Sequence, residues 1–180
     1  KSGGSAEVIK CDVSSTDSVK AAFDQIDAVH ILVNNAGIAA IGNVENCTTE
    51  EIDKIYGVNV KGIYHCLHYA VPKMLASGGG SIVNLASIAS KVGIQDRFAY
   101  SMSKGAVLMM TRSVACDYLQ ENIRCNCISP ARVHTPFVDR FIDKNYPGQE
   151  AEMMTKLSAT QPMGRMGQPD EIASLAVYLA

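Results

Sequence analysis

The chain has 180 residues, 47% of them apolar and 19% charged, with a formal net charge of −2. That is length enough for one buried core, so a single domain over residues 1–180 is expected. The composition excludes a nucleic-acid footprint, since no Lys/Arg run exceeds two residues, and a membrane-spanning helix, since no apolar stretch reaches ~18 residues.

The first eight residues contain no apolar signal core. They open mid-loop, and the chain stops inside a helical pattern at Ala180, so a domain truncated at both ends is expected. Residues 7–13 (Glu7 to Val13) read as a short strand that stops at Asp12 and the Ser14-Ser15-Thr16 cluster. Thr16 or Ser15 caps an amphipathic helix from Asp17 to Ile26, with Val19, Ala22, Phe23 and Ile26 on one face. Residues 29–33 are near-continuously apolar and of strand length, which predicts a strand buried on both faces. It runs into Asn34-Asn35-Ala36-Gly37.

Thr48 and Glu51 carry the spacing of a capping box, and a long helix follows to Met74, with Pro72 marking its end. Three glycines (78–80) make a turn. Residues 81–86 form the next strand, which leads to Ser87. A second long helix runs from Phe98 to Leu119, and residues 123–128 form the last strand. Pro130 to Thr135 is a loop, residues 137–166 are polar and Met-rich, and Gln168-Pro169-Asp170-Glu171 starts a final helix. Strands alternating with long helices predict an α/β fold: a Rossmann-like, doubly wound parallel sheet flanked by helices.

In such sheets ligands sit beyond the carboxyl ends of the strands. Asp12, Asn34, Gly37, Ser87 and Pro130 all fall there. Tyr100 and Lys104 lie four apart on a helix, so phenol and ammonium share a face. Bringing a free phenol from a pKa of about 10 to about 7 needs ~4 kcal/mol. One ammonium ~4 Å away, at an effective dielectric of ~20, supplies about that. Ser87, at the tip of a neighbouring strand, is placed to bind the same substrate oxygen. A serine hydrolase is excluded, since no G-x-S-x-G surrounds Ser87.

These residues, in this order and spacing, resemble the short-chain dehydrogenase/reductase family along the whole chain. The resemblance rests on Asp12-Val13, Asn34-Asn35-Ala36-Gly37, Asn59 within Gly57–Gly62, Ser87, Tyr100-x-x-x-Lys104 and Pro130 through Thr135. It implies an NAD(P)-dependent oxidoreductase that moves a hydride between nicotinamide and a secondary alcohol or ketone. Tyr100 is then the general acid/base and Lys104 its activator and ribose contact. Ser87 orients the substrate oxygen, and the Asn59 backbone carbonyl holds a proton-relay water. Asp12 and Val13 meet the adenine, while Asn34, Ala36 and Gly37 lie against the adenosine ribose. Pro130, Val133 and Thr135 meet the nicotinamide end.

Two departures stand out. Pro130-Ala131 replaces the family's Pro-Gly, and the Gly-rich phosphate motif and the strand that selects NAD or NADP are absent. Either dinucleotide remains open, with NAD favoured. The run from Pro130 to Asp139, followed by residues 145–148, is similar to members acting on deoxy-sugar acids such as 2-keto-3-deoxy-L-fuconate dehydrogenases. That implies a sugar-acid or polyol substrate, and Arg132, His134 and Arg140 near Thr135 fit a carboxylate or polyol. Residues 88–97 and 137–166 are expected to cover the site.

The alternatives are a non-catalytic dinucleotide-binding or scaffold member of the fold and an epimerase or dehydratase that shares Y-x-x-x-K. The two long helices imply a homodimer or homotetramer. His65 and His68 share a helix face with no third ligand, so surface or interface histidines and no metal are expected. The six cysteines (11, 47, 66, 116, 125 and 127) are expected to be buried thiols in a reducing cytoplasm.

Overall fold

The structure, a computed structural model, describes residues 4–180. The side chains of residues 137, 144 and 145, like residues 1–3 at the start of the expected domain, lie outside the described residues. Three parallel strands form one sheet in the order β1-β2-β3: β1 (Ile31–Asn34), β2 (Gly80–Leu85) and β3 (Ile123–Ile128). The helices are α1 (Thr16–Phe23), α2 (Thr49–Ile55), α3 (Gly62–Ala76), α4 (Phe98–Asp117), α5 (Pro136–Asn145), α6 (Glu150–Ala159) and α7 (Pro169–Leu179). The alternation βαβ requires parallel pairing, because each strand must return to the same end of the sheet before starting again.

One face of the sheet is covered by α1, α3 and α4. Val19, Phe23, Ile63, Leu67, Val107, Ile82 and Cys125 meet there in one apolar core. The other face carries α7, which packs on β2 and β3. Ser81 Oγ and Arg124 Nη1 both donate to the Leu179 carbonyl and so fasten α7's last turn to those strands (2.9 Å each).

Several elements depart from the sequence expectation. Residues 7–13 form no strand: no described strand runs beside them, so their backbone has no ladder to join, and Val8 is 98% exposed. β-propensity describes fit to a pleated neighbour, and without one it has no effect. β1 is buried on one face only. It lies at the sheet edge, outside the reach of α7, which leaves Ile31 and Val33 53% and 46% exposed. α1 stops at Phe23, where Gln25 and Ile26 turn back onto the Ala22 and Phe23 carbonyls. Its cap is Ser15, whose Oγ accepts from Ser18 N (3.3 Å).

The Thr48–Glu51 capping box is present, but the long helix is not uniformly α-helical. Residues Tyr56–Lys61 widen into a π turn between α2 and α3. Pro72 lies inside α3, which continues to Ala76. The segment over residues 137–166 folds into α5 and α6.

All six thiols are free, yet Cys11 and Cys116 are exposed, one on the unpaired segment and one on the open face of α4. Burial pushes the Cys66 thiol up to about 11 and Cys125 up to about 12, so both are inert at neutral pH. His65 is not a surface residue. Only 5% exposed, it bonds the Val13 carbonyl through Nδ1 (2.9 Å), while His68 stays exposed. Among the described residues no group of three or more His, Cys, Asp or Glu side chains is arranged to hold a metal ion. Among the described residues no helix is long and apolar enough to cross a membrane.

Candidate active site

The catalytic candidates converge where β2 ends. Lys104 on α4 is buried (6% exposed), and its ammonium donates to the Leu85 carbonyl, the last residue of β2 (2.6 Å). Two residues further on, Ser87 opens a 3₁₀ turn (Ile88–Ser90) that packs on α4. Its Oγ accepts from Ala89 N (3.2 Å), which leaves its own proton to donate. The Tyr100 hydroxyl makes no hydrogen bond among the described residues, and the Lys104 ammonium sits 5.8 Å from the centre of its ring. Burial also brings the Lys104 pKa itself down to about 8.

Asn59 is fully buried in the π turn, not an exposed helix residue. Its side chain clamps the chain after β1: Oδ1 accepts from Ile38 N (2.8 Å) and Nδ2 donates to Ile38 O (2.9 Å). Nδ2 also donates to Ser103 Oγ (3.0 Å), which in turn donates to the Tyr100 carbonyl (2.8 Å). A Cβ at Gly37 would lie 3.4 Å from Asn59 Oδ1 and 3.5 Å from Lys104 Nζ. The absence of a side chain at Gly37 keeps the backbone close to both groups.

A second chain of side-chain bonds lies below. Asn34 Nδ2 donates to Asn84 Oδ1 (2.8 Å), Asn84 Nδ2 to Thr111 Oγ1 (2.9 Å), and Thr111 Oγ1 to Val107 O (2.8 Å). It ties the end of β1 through β2 to α4. Ser103, Asn84 and Thr111 were not among the sequence candidates. A polar residue on the inward stripe of a helix or strand was the available signal, but no motif marks it.

At the far end, the Asp12 carboxylate accepts from Ser14 N (2.9 Å) and Ser14 Oγ (2.7 Å), which hold it below the usual carboxylate range. Asp12 thus serves as a turn residue whatever else it does. Val13, Asn34, Asn35 and Ala36 line a cavity of about 130 Å³ together with Gly62 and Cys66. In the last loop Ile88 N donates to the Pro130 carbonyl (2.9 Å), which joins the loops after β2 and β3. Val133 pairs with Gly167, Thr135 precedes α5, and His134 Nε2 is 2.7 Å from Asp139 Oδ1.

The residues present suit a dinucleotide. An ammonium carries three donors and Leu85 takes one, so two remain for ribose hydroxyls. Ser129 Oγ, at the end of β3, is a buried atom with no partner among the described residues. Ser87, Tyr100 and Lys104 thus gather beyond the strand ends of a parallel α/β sheet, where such folds bind their ligands.

Comparison with known proteins agrees. The family profile described as enoyl-(acyl carrier protein) reductase matches residues 1–180. Dehydrogenase/reductase SDR family member 6 of Xenopus laevis is 38% identical over 170 residues, which are 94% of this chain and 69% of the relative. The ligand-free aldohexose dehydrogenase of Thermoplasma acidophilum superposes with a TM-score of 0.90 at 35% identity, over 98% of this chain and 72% of that one. NAD⁺-bound xylitol dehydrogenase superposes at 0.84 and 28% identity, over 94% of this chain and 70% of its own. The chain belongs to the short-chain dehydrogenase/reductase family. It is an enzyme acting on CH–OH groups with NAD(P), and the non-catalytic alternative falls away.

Proposed function

We propose that Tyr100, Ser87 and Lys104 oxidise a secondary alcohol of the sugar-acid or polyol kind, or reduce the matching ketone. The observation that supports this most directly is the buried Lys104 ammonium, anchored on Leu85 and facing the Tyr100 ring with donors to spare. When bound, the nicotinamide dinucleotide takes or supplies the hydride. Ser87 Oγ donates to the substrate oxygen and holds it beside Tyr100. In oxidation Tyr100 Oη takes the carbinol proton, and Lys104 stabilises the phenolate while its free donors meet the ribose. The Asn59 carbonyl, in the π turn, holds the water that passes protons to Lys104.

Asp12 and Val13 would meet the adenine, with Asn34, Ala36 and Gly37 along the adenosine ribose. Pro130, Val133 and Thr135 would meet the carboxamide. NAD is the favoured dinucleotide, although the similar solved structures include both an NAD⁺-bound xylitol dehydrogenase and an L-sorbose reductase complexed with NADPH. Six unpaired thiols support a reducing, cytoplasmic setting.

The test is to screen the full-length protein against polyols and sugar acids with both oxidised dinucleotides, following the absorbance of the reduced nicotinamide. Tyr100→Phe should abolish turnover while the dinucleotide dissociation constant stays nearly unchanged. Retention of more than a few per cent of activity would contradict the role given to Tyr100.

A further inference from the structure

We propose that Asn84 and Thr111 are positioning residues whose hydrogen bond sets the height of α4 on β2, and so seats Tyr100 and Lys104 against Ser87. This inference rests on the oxidoreductase reading above. It adds two side chains buried out of reach of substrate and dinucleotide, since Asn84 is 0% and Thr111 3% exposed.

Tyr100, Lys104, Val107 and Thr111 follow one another at steps of four, three and four residues, so they stand on one face of α4. Thr111 lies two turns below Lys104, about 10 Å along the helix axis. On β2, Asn84 adjoins Leu85, and Ser87 follows two residues later. Among the described residues, two side-chain hydrogen bonds join β2 to α4. Asn84 Nδ2 donates to Thr111 Oγ1 (2.9 Å), and Lys104 Nζ donates to the Leu85 carbonyl (2.6 Å). Lys104 divides its donors between that carbonyl and the ribose. The Asn84–Thr111 bond has no second task and stays as the constant fastening.

The bond can be made in one sense only. Thr111 Oγ1 has a single proton, which goes to the Val107 carbonyl (2.8 Å), so toward Asn84 it accepts. Asn84 Nδ2 must then face Thr111, which turns Oδ1 toward Asn34, whose Nδ2 donates to it (2.8 Å).

Stability alone does not call for these side chains. Replacing both partners of a buried hydrogen bond by apolar groups of the same shape is close to neutral. What apolar packing lacks is direction, because hydrophobic burial is non-directional. A purely aliphatic contact would let α4 settle at neighbouring heights, with one residue of slip amounting to about 1.5 Å. Misplacing reacting groups by about 1 Å can cost roughly 100-fold in rate. Fixing register is the best-attested use of a buried polar pair.

The test uses the full-length protein, with xylitol, ribitol, gluconate and threonate as substrates. Thr111→Val keeps the shape and removes the hydroxyl. It should lower kcat per dinucleotide-binding site roughly tenfold or more, while the dinucleotide dissociation constant stays unchanged. Thr111→Ser returns the hydroxyl and should restore most of the rate. Met74→Ala opens a cavity under Gly80, at the opposite end of β2, as a control for lost stability, and should leave kcat per site in place. Should Thr111→Val fail to fold, Thr111→Cys, which keeps the volume and weakens both bonds, carries the same expectation. An unchanged rate, a loss no larger than that of Met74→Ala, or no rescue by serine would overturn the proposal. Hydrogen exchange without substrate gives a reading independent of turnover. The amides of α4 should exchange faster in Thr111→Val while those of α3 keep their protection, and unchanged exchange along α4 would also overturn it. Faster exchange along α4 with no turnover of any of the four compounds by the wild type would uphold the fastening and count against the substrate reading instead.

Discussion

Lys104 is held in the folded protein at a cost. Burial lowers its pKa from 10.5 to about 8, which corresponds to roughly 3 kcal/mol of disfavoured charge. Between those two values the unfolded chain binds the proton and the folded one does not, so folding stability gains as pH rises from about 8 to about 10.5. Below pH 8 both states are protonated and the penalty is at its full size. Lys104→Met should therefore stabilise the dinucleotide-free protein at pH 7, even though the Leu85 carbonyl loses its partner, and the advantage should shrink through pH 9 and 10. Urea unfolding at those three values, wild type against variant, measures it. A variant less stable than wild type at pH 7 would show that the bond to Leu85 outweighs the buried charge.

The same residue shows how far the sequence carried the site. A Y-x-x-x-K spacing on a helix places a phenol and an ammonium on one face, and they are found there. The ammonium also donates to the Leu85 carbonyl (2.6 Å), an acceptor on another element. Nothing in a one-dimensional spacing records that competing acceptor.

Between Val13 and α3 the packing is tight enough to read function from it. A Cβ on Gly62 would sit 2.8 Å from Val13 Cγ2, and the neighbouring His65 holds the Val13 carbonyl. Because a carbonyl only accepts, the His65 proton must be on Nδ1. The unpaired segment that carries Asp12 and Val13 is thus fixed to the body of the protein by α3 and not by strand pairing. His65→Leu removes the donor and leaves a buried carbonyl unmet, a loss of about 1–3 kcal/mol.

If Val13 lies under the adenine, part of that loss should appear as a dinucleotide dissociation constant raised several-fold, with kcat at saturating dinucleotide preserved. Fluorescence titration and steady-state kinetics separate the two. A fall in kcat at unchanged affinity would place His65 with the chemistry instead.

Element by element, the sequence was most legible where local signals suffice. The Thr48–Glu51 capping box, the span of β3 and the start of α4 are all where the pattern put them. It was least legible where a distant partner decides. Residues 7–13 have the composition of a strand but no neighbour to pair with. Asn59 stood out as an indifferent helix former inside a helix. That its side chain would grip Ile38 from 21 positions away followed only once the chain was folded.

On the scale of the whole molecule, α3 and α4 present apolar side chains that the single chain does not cover. Tyr64, His68 and Leu75 are exposed along one side of α3. On α4, Met102, Met109 and Cys116 repeat every seven residues on its open side. At 1.5 Å per residue, the 20 residues of α4 make a stripe about 30 Å long. Two such helices from each of two copies would bury on the order of the ~800 Å² per partner that a stable interface needs. We propose a dimer, or a tetramer built from two, with α3 and α4 pairing across the axis in a four-helix arrangement. Light scattering on the full-length protein eluting from a sizing column should return at least twice the chain mass at micromolar concentration. Tyr64→Glu combined with Met109→Glu should shift it to the monomer, because both charges would be desolvated in the joint without partners. A wild-type monomer throughout that range would show that these side chains face solvent and that the active site is complete within one copy.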